Sequence, residues 1–508
     1  MASARFMKAF LRAVLMLGVL FGAMACSGPL DDALLERTRQ TPDWFDDAKL
    51  GVFIHWGPAS VPAFAAGDPL QPGDLEALLS ADSPKRDLPY AEWYLNAMSY
   101  PGSVTALHHA QHYQNAPYTD FKPTFESNVN QGWDPDAWAD LFAKAGARYV
   151  VLVTKHHDGY TLWPSDVAHP TRTDWGSPRD MVGELAEAVR AKGMRFGTYY
   201  STGLDWSFSL ETDEDWVRGV MLSAPASQAY ADYAHDHLAE LIDRYQPDLL
   251  WADIGYPSKG RLDELLAYYF ESVPDGAVND RWASVDVLGQ IARIPGATWL
   301  MKALARWSLE NQVDPLADDP NRIGFKTAEY DSLPGISPFK WEATRGLGSS
   351  FAFDRRETSE DMLSSAELVE FLVDTVAKNG NVLINVGPDS FGRIPAIQQS
   401  PLLAMGEWMA VNGQAIYATQ PWERGGNVSG RALRYTKTVD ALYAIVLGDV
   451  DATFSIENPG IDFSEITVLG AQLLASSVKG DAIELTLDGP LRGPAVVVRY
   501  ALTDLPAQ

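Results

Sequence analysis

Three acidic residues in the sequence stand where their carboxyl groups could do chemistry. Asp253 follows the apolar run LLWA, so its side chain leaves a predicted buried strand at the strand's end. Glu329 lies in FKTAEY and Glu342 in FKWEAT. Hydrolysis of a glycosidic bond with retention of configuration needs one ionised carboxylate as nucleophile and a second carboxyl, of raised pKa, as acid and base. Asp253 with one of the glutamates could supply this pair, and helix N-capping is the alternative role for Asp253.

Further polar residues end several strand-like runs of the sequence. One polar residue at a strand end needs only a local partner, but polar groups buried at five strand ends are costly unless they are paired. With Trp56, Trp93 and Trp251 nearby in the sequence motifs, such a set suits a sugar, which needs hydrogen-bonding partners and flat apolar faces. The polar residues are His55, His156, His157, Asp158, Tyr199, Asp253, Asn279, Asp280 and Arg281.

A zinc site is the competing interpretation of the histidines. Adjacent residues of a strand point to opposite faces, so we do not expect His156 and His157 to share one ion unless the strand bends there. The sequence has no H-E-x-x-H motif, and its single cysteine offers no ligand set. We therefore predict no metal and no cofactor. His108 and His109 lie in a stretch without a motif, and we expect them in a surface loop.

Strands and helices must alternate to bring the polar residues together. Continuous apolar runs are typical of strands buried on both faces of a parallel sheet. A helix is predicted from Asp134 and Pro135, which form a start signal ahead of an apolar stripe. Similar stripes run from Val182 to Val189 and from Tyr230 to Tyr245. The strand-like runs lie at 50–56, 147–157, 195–201, 247–253, 276–282 and 380–387.

This alternation predicts an α/β fold, either a (β/α)8-like (TIM) barrel or a doubly wound sheet. The barrel is preferred, because neither G-x-G-x-x-G after the first strand nor G-x-x-x-x-G-K-[ST] is present to bind phosphates. We predict a catalytic barrel over residues 41–420, with its chemistry at the C-terminal strand ends. Beyond Pro421, short alternating or β-branched runs between turn residues predict a C-terminal β-sandwich over 421–508.

The length and composition agree with a large domain followed by a smaller one. The chain has 508 residues, of which 46% are hydrophobic, enough to bury a substantial core. There are 67 acidic and 40 basic residues, giving a formal charge of −27. A field of this sign repels phosphate backbones, so we expect no nucleic-acid partner.

The first 25 residues have the pattern of a signal peptide. The apolar run at 13–25 is too short to span a bilayer and follows three basic residues, Arg5, Lys8 and Arg12. Cleavage after Ala25 would use Ala23 and Ala25 as the small residues of an A-x-A site. Residues 1–25 are therefore excluded from the fold.

Cys26 follows this run at once and could carry lipid after cleavage. The pattern resembles a bacterial lipoprotein signal, although Ala23 stands where such signals usually have leucine. We predict an exported protein of a bacterium, periplasmic or anchored to the outer membrane by a lipid on Cys26, with a linker at 26–40. Plain secretion is the alternative.

Eight segments resemble the α-L-fucosidases of glycoside hydrolase family 29 and occur in that family's order over about residues 40–425. Members of this family have a (β/α)8-like barrel followed by a β-sandwich. They hydrolyse terminal α-L-fucosides by a retaining double displacement and need no metal, so the resemblance implies the same here. The segments are WFDDAKLGVFIHWGPASVPAF (44–64), YAEWYLNAM (90–98), AGARYVVLVTKHHDGYTLWPS (145–165), FGTYYSTGLDW (196–206), PDLLWADIGYP (247–257), AVNDRW (277–282), FKTAEY (325–330) and FKWEATRGLGSSF (339–351).

The resemblance also implies roles for individual residues. The aspartate of the family's L-W-x-D element is Asp253, the implied nucleophile. The glutamate of the T-[AP]-E-Y element is Glu329, the implied acid/base, and the glutamate of the W-E element, Glu342, is the alternative. The implied fucose-binding residues are His55, Glu92, Trp93, His156, His157, Tyr199, Trp251 and Arg281.

Residues 283–324 depart from the family pattern. They include the amphipathic stretch WLMKALARWSLENQ, and they stand where similar bacterial enzymes have a short loop. This insertion could roof the pocket, contact the sugar beyond fucose or mediate homo-oligomer formation. A tolerated surface excursion is the alternative, because long loop insertions cost little free energy.

The expected function is that of an exo-acting α-L-fucosidase whose partner is a fucosylated glycan. A different glycoside specificity or transfucosylation at the same site is one alternative. A non-catalytic fucose-binding lipoprotein is another, and it is disfavoured because Asp253 and Glu329 are both present.

Overall fold

A curled sheet of eight parallel strands forms the centre of the molecule. The structure, a computed structural model, describes residues 30–67, 87–310, 322–423, 426–428 and 431–503. The strands pair in the order β5-β4-β3-β2-β1-β8-β7-β6, and a parallel bridge between Asn279 and Phe325 joins its two ends. The predicted (β/α)8-like barrel is thus confirmed. The strands are β1 (Leu50–Ile54), β2 (Tyr149–Lys155), β3 (Arg195–Ser201), β4 (Leu249–Asp253), β5 (Ala277–Val278), β6 (Lys326–Glu329), β7 (Trp341–Gly346) and β8 (Gly380–Val386).

Most of the strands found from apolar runs are buried on both faces. All residues of β1, β2, β4 and β8 are buried, as a parallel sheet covered by helices requires. The sequence prediction omitted β6 and β7. Strand β6 is half-buried throughout and carries Lys326, Thr327 and Glu329, so it shows no apolar run.

Helices follow most of the barrel strands. In the helix Pro135–Lys144, the Asp134 side chain accepts from the Ala137 amide and Pro135 occupies the first turn, as predicted. The α-helices are Asp32–Arg39, Asp43–Ala48, Tyr94–Met98, Val104–Tyr113, Phe121–Gly132, Pro135–Lys144, Met181–Ala191, Trp216–Leu222, Gln228–Tyr245, Leu262–Ser272, Asp286–Ala292, Ala297–Glu310, Ser365–Val376 and Ala396–Asn412. Short 3₁₀ helices span Pro58–Ser60, Ala91–Trp93, Tyr118–Asp120 and Gly413–Ala415.

The expectation that His108 and His109 lie in a surface loop is wrong. Both belong to the helix Val104–Tyr113, and His109 is buried. Its Nδ1 lies 3.0 Å from the Tyr94 hydroxyl and its Nε2 lies 2.7 Å from the Ala116 carbonyl oxygen. His108 stacks on Phe64 with ring centroids 3.8 Å apart. The apolar spacing that predicts a helix is missing here, because polar histidines occupy positions that pack against other residues.

Two antiparallel sheets form the C-terminal β-sandwich. The larger pairs in the order β10-β11-β12-β17-β14 with β9 beside β11, and the smaller in the order β13-β16-β15. Their strands are β9 (Gln420–Pro421), β10 (Gly426–Val428), β11 (Arg431–Lys437), β12 (Ala441–Leu447), β13 (Thr453–Glu457), β14 (Phe463–Val468), β15 (Leu473–Lys479), β16 (Ala482–Leu487) and β17 (Ala495–Leu502).

Strand β12 joins the sandwich to the barrel. Successive residues of a strand point to opposite faces. Leu442 and Val446 therefore pack into the sandwich core, whereas Tyr443 and Ile445 belong to the large core that includes the barrel helices. The two parts of the chain share this buried strand, which fixes the sandwich against the helix Ala396–Asn412.

The N-terminal segment contributes a helix, and the insertion contributes two. The helix Asp32–Arg39 lies within the segment expected to be a linker. Asp286–Ala292 and Ala297–Glu310 lie within the insertion. The predicted signal peptide and Cys26 lie outside the described residues. Among the helices that the structure describes, none has the length and apolar character needed to cross a membrane.

Candidate active site

A cavity opens at the C-terminal ends of the barrel strands. Its lining includes the ten residues expected to act as nucleophile, acid/base and fucose-binding groups, other than the alternative acid Glu342. The topology brings them together because parallel strands deliver all their carboxyl ends to one face of a barrel. These residues are His55, Glu92, Trp93, His156, His157, Tyr199, Trp251, Asp253, Arg281 and Glu329.

Arg281 links the two carboxylates of the cavity. Its Nη1 donates to Oδ1 of Asp253 at 2.9 Å, and its Nη2 donates to Oε2 of Glu329 at 3.0 Å. The Tyr199 hydroxyl donates to the other oxygen of Asp253 at 2.8 Å. Each carboxylate is thereby held by a charge-assisted hydrogen bond in a fixed direction. The guanidinium also lies 4.7 Å from the centre of the Trp251 ring, which holds it flat against the wall.

Burial sets the proton affinity of Glu329. Its side chain is only 9% exposed, and desolvation raises the pKa of its carboxyl. The nearby charge of Arg281 opposes this rise in pKa, and the charge of Asp253 adds to it. Glu329 is thus a carboxyl that holds a proton more readily than an exposed glutamate.

The backbone is left-handed directly after each of the two carboxylates. Ile254 follows Asp253 with φ +54°, and Tyr330 follows Glu329 with φ +50°. This conformation is unfavourable for residues with a β-branched or bulky side chain, and it persists only where the surrounding structure imposes it. The chain therefore turns sharply at the end of β4 and of β6, at the points where the two carboxyl groups enter the cavity.

The alternative acid, Glu342, lies outside the cavity lining. It is fully buried in the barrel interior, where it accepts from the Tyr149 hydroxyl at 2.6 Å and from Trp251 Nε1 at 3.0 Å. Desolvation raises the pKa of Glu342 to about 7. Its contacts make it a support for the Trp251 ring rather than a group at the reacting atoms.

Two histidines are held as single neutral tautomers. Burial lowers the pKa of His55 to about 4 and that of His157 to about 3. The Asn385 amide donates to the Phe351 carbonyl, so its Oδ1 faces Nδ1 of His55 at 2.6 Å as an acceptor. His55 therefore carries its proton on Nδ1, and its Nε2 accepts.

His157 reaches the same state by another route. The Ser201 hydroxyl donates to the Leu204 carbonyl at 2.6 Å, so it accepts from Nδ1 of His157, also at 2.6 Å. Both rings thus offer an unprotonated Nε2, which suits the hydrogen of a sugar hydroxyl. The strand-like run predicted at 147–157 is shorter in the structure than in the sequence prediction. Strand β2 ends at Lys155, so the pleat no longer separates His156 from His157, and both line the cavity.

Glu92 is the third carboxyl of the lining. It accepts from the Ala352 amide at 2.9 Å and from the Ser350 hydroxyl at 3.3 Å. Burial raises the pKa of Glu92 to about 7, and these hydrogen bonds limit the rise. The 3₁₀ helix Ala91–Trp93 presents both Glu92 and Trp93 to the cavity.

Three polar atoms of the lining have no hydrogen-bond partner within the part of the chain that the structure describes. They are the Tyr90 hydroxyl, Nδ1 of His156 and the Thr344 hydroxyl, and all three are buried. Buried polar groups are nearly always paired, so unpaired ones in a cavity mark positions that a polar ligand fills. Together with the acceptors on His55 and His157, they supply hydrogen-bonding groups to a cavity that is also lined by aromatic side chains.

Seven lining residues were missed by sequence reasoning. Tyr90, Thr344 and Phe351 lie inside motifs that had already been singled out, so the motifs themselves were the available signal. Leu88 and Trp216 lie outside those motifs and carry no signal. The missed residues are Phe53, Leu88, Tyr90, Trp216, Ile254, Thr344 and Phe351.

Within the described residues, no group of three or more histidine, cysteine, aspartate or glutamate side chains is arranged to hold a metal ion. His55 and His157 each direct Nδ1 at a protein partner, and His156 lies between them in the lining. The arrangement can bind a small polyhydroxylated molecule against aromatic faces and present two carboxyl groups to it.

Known proteins share this chain's sequence and fold. The family model for alpha-L-fucosidase matches residues 31–414. An alpha-L-fucosidase of Dictyostelium discoideum is 30% identical over 504 residues, covering 94% of this chain and 95% of that protein. The human tissue alpha-L-fucosidase is 31% identical over 452 residues, covering 86% and 82%.

Solved structures agree with these sequence relatives. The alpha-fucosidase of Thermotoga maritima in complex with a mechanism-based inhibitor has a TM-score of 0.73 to this chain at 37% identity. The similarity covers 93% of this chain and 99% of that one. The structure of the Thermotoga maritima enzyme in complex with fucose has the same TM-score at 36% identity, covering 92% and 99%.

Proposed function

The chain belongs to the alpha-L-fucosidase family and is a glycoside hydrolase, and from that premise we propose that it removes terminal α-L-fucose by a retaining double displacement. The observation that carries the mechanism is the pair Asp253 and Glu329, hydrogen-bonded to neighbouring nitrogens of one guanidinium. Such a pair is compatible with the roughly 5–5.5 Å spacing of carboxyl groups in retaining glycosidases.

Asp253 is the nucleophile in this proposal. Its oxygens accept from Tyr199 and Arg281, so its carboxylate is oriented before substrate arrives. One oxygen attacks the anomeric carbon and forms a covalent fucosyl ester while the glycosidic bond breaks. As the bond to that oxygen forms, the negative charge on Asp253 falls. In the second step the Asp253 carboxylate becomes charged again, and the hydrogen bonds from Tyr199 and Arg281 stabilise it.

Glu329 is the acid and then the base. Burial raises the pKa of its carboxyl, so it can hold the proton that the leaving oxygen needs. In the second step the glutamate carboxylate takes a proton from water, and the water oxygen attacks the anomeric carbon from the face that the leaving group vacated. The bond from this carbon to Asp253 breaks, which regenerates the Asp253 carboxylate. Two inversions give α-L-fucose. Glu342 is not assigned this role, because its carboxyl is occupied by Tyr149 and Trp251 below the cavity.

The neutral histidines and the unpaired polar atoms bind the sugar hydroxyls. His55 and His157 accept through Nε2, while Trp251, Tyr199 and Phe53 supply apolar ring faces. Their three rings lie 5.3–5.7 Å apart and form one aromatic wall, suited to the carbon side of a deoxy sugar.

The test is the configuration of the first product. Purified enzyme is mixed with 4-nitrophenyl α-L-fucoside, and ¹H NMR follows the anomeric proton before mutarotation. We expect α-L-fucose first. Appearance of β-L-fucose first would contradict the retaining mechanism, and binding without turnover in calorimetry would favour a fucose-binding protein.

Equal or faster hydrolysis of a galactoside in a substrate panel would favour the other glycoside specificity. Fucosyl transfer to an added sugar in preference to water would favour a transfucosylase.

We also propose that the protein is exported and carries lipid on Cys26. The proposal rests on the basic residues, the apolar run and the A-x-A site that precede this cysteine. In a bacterial host, wild-type protein should incorporate labelled palmitate and sediment with membranes, whereas Cys26→Ser should do neither. Release of both forms to the soluble fraction would leave plain secretion as the explanation.

A further inference from the structure

We infer that Trp216 and Leu88 form a leaving-group subsite, an apolar wall that contacts the carbon face of the sugar attached to fucose, and that residues 283–302 of the insertion hold this wall in place. The inference rests on the proposed function and extends it to the part of the substrate that the reaction releases. Both residues line the cavity, and neither belongs to the implied fucose-binding set.

The cavity has two walls of different origin. Phe53, Tyr199 and Trp251 stand on barrel strands and belong to a core cluster inside the barrel. Leu88, Trp216 and Ile254 stand outside the strands or directly after one, and they pack in a second, separate cluster. The second wall is therefore built by segments outside the barrel strands, and Trp93 of the implied fucose-binding set belongs to the same cluster.

Ring contacts connect Trp216 to the implied fucose-binding residues through Trp93. The Trp216 ring contacts Trp93 with centroids 5.7 Å apart, and Trp93 in turn contacts His157 at 5.2 Å. In an exo-acting enzyme the terminal sugar occupies the closed end of the pocket, so the rest of the glycan leaves past the second wall. An indole face there offers the apolar C–H side of a pyranose a flat surface.

The insertion packs directly on the helix that carries Trp216. Leu288, Ala292 and Met301 of the insertion share the apolar cluster of Trp216 and Val217. Helices approach closely at Gly289, where an added Cβ would overlap the Met221 carbonyl oxygen. This glycine therefore sets the distance between the helices Asp286–Ala292 and Trp216–Leu222.

Polar contacts fix the same interface. Asp215 caps the helix Trp216–Leu222 by accepting from the Arg218 amide, and Lys302 of the insertion lies 2.7 Å from the same carboxylate. The Lys302 side chain is only 4% exposed, so solvent screens this ion pair little. Arg218 Nε also donates to the Ala292 carbonyl at 3.0 Å.

The insertion also supports the loop that follows Asp253. Asp286 accepts from the amide and the hydroxyl of Ser258, at 3.1 and 2.6 Å. Gly255 lies so close to the Ala283 carbonyl that a side chain would overlap it. Ile254 lies between the nucleophile and this glycine, so insertion residues limit the movement of its backbone. Its side chain belongs to the same wall as Trp216.

The experiment separates the leaving group from fucose. Wild type, Trp216→Ala and Trp216→Phe are assayed on α-L-fucosyl fluoride, which has no second sugar, and on an α-L-fucosyl disaccharide that the wild type cleaves. For Trp216→Ala we expect kcat/KM on the disaccharide to fall about tenfold or more, with kcat/KM on the fluoride and the inhibition constant of free fucose within about twofold of wild type. Trp216→Phe should keep part of the disaccharide activity.

Gly289→Val tests the support without altering a residue of the cavity. It should reduce kcat/KM on the disaccharide in the same selective way, because the two helices must separate to admit the side chain. Trp299→Ala is the matched control: this tryptophan lies in the insertion but is 64% exposed, and its variant should behave as wild type. Thermal melts confirm that each variant is folded.

Two results would overturn the inference. Equal losses on the fluoride and the disaccharide in Trp216→Phe, with weaker inhibition by fucose, would place Trp216 in the fucose site. Unchanged kinetics for folded Trp216→Ala on both substrates would remove the subsite. Failure of the wild type on the fluoride would instead reject the proposed function, and calorimetric binding of the disaccharide to wild type and Trp216→Ala would still test the wall.

Discussion

Glu342 lies one layer below Glu329 in the barrel. The register between β6 and β7 pairs Glu329 with Thr344 and Glu342 with Thr327. Two residues along a strand correspond to about 7 Å, so the two glutamates occupy successive layers of the interior. Glu329 is therefore at the mouth, where Thr344 also lines the cavity, and Glu342 is beneath it.

Glu329→Ala should lose far more activity on a natural disaccharide than on α-L-fucosyl fluoride. The disaccharide oxygen needs a proton in order to leave, whereas fluoride leaves without one, and general acid catalysis contributes about 10²–10⁴-fold. Steady-state kinetics on both substrates measure this difference. Glu342→Gln is the control. Its loss of activity should be the same on the two substrates and smaller than the loss of Glu329→Ala on the disaccharide. A larger selective loss in Glu342→Gln would transfer the role to Glu342.

Azide should give opposite products with the two catalytic variants. In Asp253→Gly, azide attacks from the side of the missing carboxylate and yields β-L-fucosyl azide by one inversion. In Glu329→Ala, azide replaces water in the second step and yields the α anomer. Asp253→Asn should lower kcat by roughly 10³-fold or more. NMR of the isolated azides decides the assignment, and the same anomer from both variants would refute it.

Arg281→Met should move the alkaline limb of the kcat/KM profile to higher pH. The Arg281 charge lowers the pKa of Glu329, so its removal lets that pKa rise, and the protonated acid persists further into the alkaline range. Overall activity should also fall, since Asp253 loses a donor. Full pH profiles of both proteins measure the shift. A limb that stays in place or moves to lower pH would show that Glu329 does not set it.

Asn385→Ala should weaken fucose binding through His55. Without the amide acceptor, nothing holds the proton of the neutral His55 ring on Nδ1, so the ring no longer keeps a single tautomer. We therefore expect the inhibition constant of fucose to rise roughly tenfold. Asn381→Ala is the matched control, because Asn381 lies two residues earlier on β8, is equally buried and donates to the Phe45 carbonyl instead. ¹⁵N NMR of the His55 ring provides a direct readout. An Nε2-protonated His55 in wild type would contradict the assignment.

Glu342 should make the protein less stable as pH rises. Burial raises the pKa of Glu342 to about 7 in the folded protein, above that of an exposed glutamate. Between those two values the folded state binds more protons than the unfolded chain, so the free energy of unfolding falls as pH increases toward 7 and levels off above it. Denaturant melts from pH 4.5 to 8 should show a smaller slope for Glu342→Gln. An unchanged slope would show that Glu342 does not contribute.

The barrel and most of its site could be predicted because their signals are local in the sequence. Apolar runs mark β1, β2, β4 and β8, and polar residues mark the ends of β1, β2 and β4. The half-buried β6 carries no such signal, since a strand shielded on one side has mixed polar and apolar residues. Glu329 was predicted from its motif, whereas the strand β6 that carries it was not predicted.

The sequence by itself determined which residue types stand at the barrel mouth, the alternation of strands and helices in most of the barrel, and the division from the sandwich. Only the tertiary structure decided that Arg281 joins Asp253 to Glu329, that Glu342 lies one layer too deep, and that Trp216 reaches the cavity. These relationships depend on register and on contacts between distant segments. Periodicity along one strand or helix does not encode them, because it records which face is buried and not which residue of another segment covers that face.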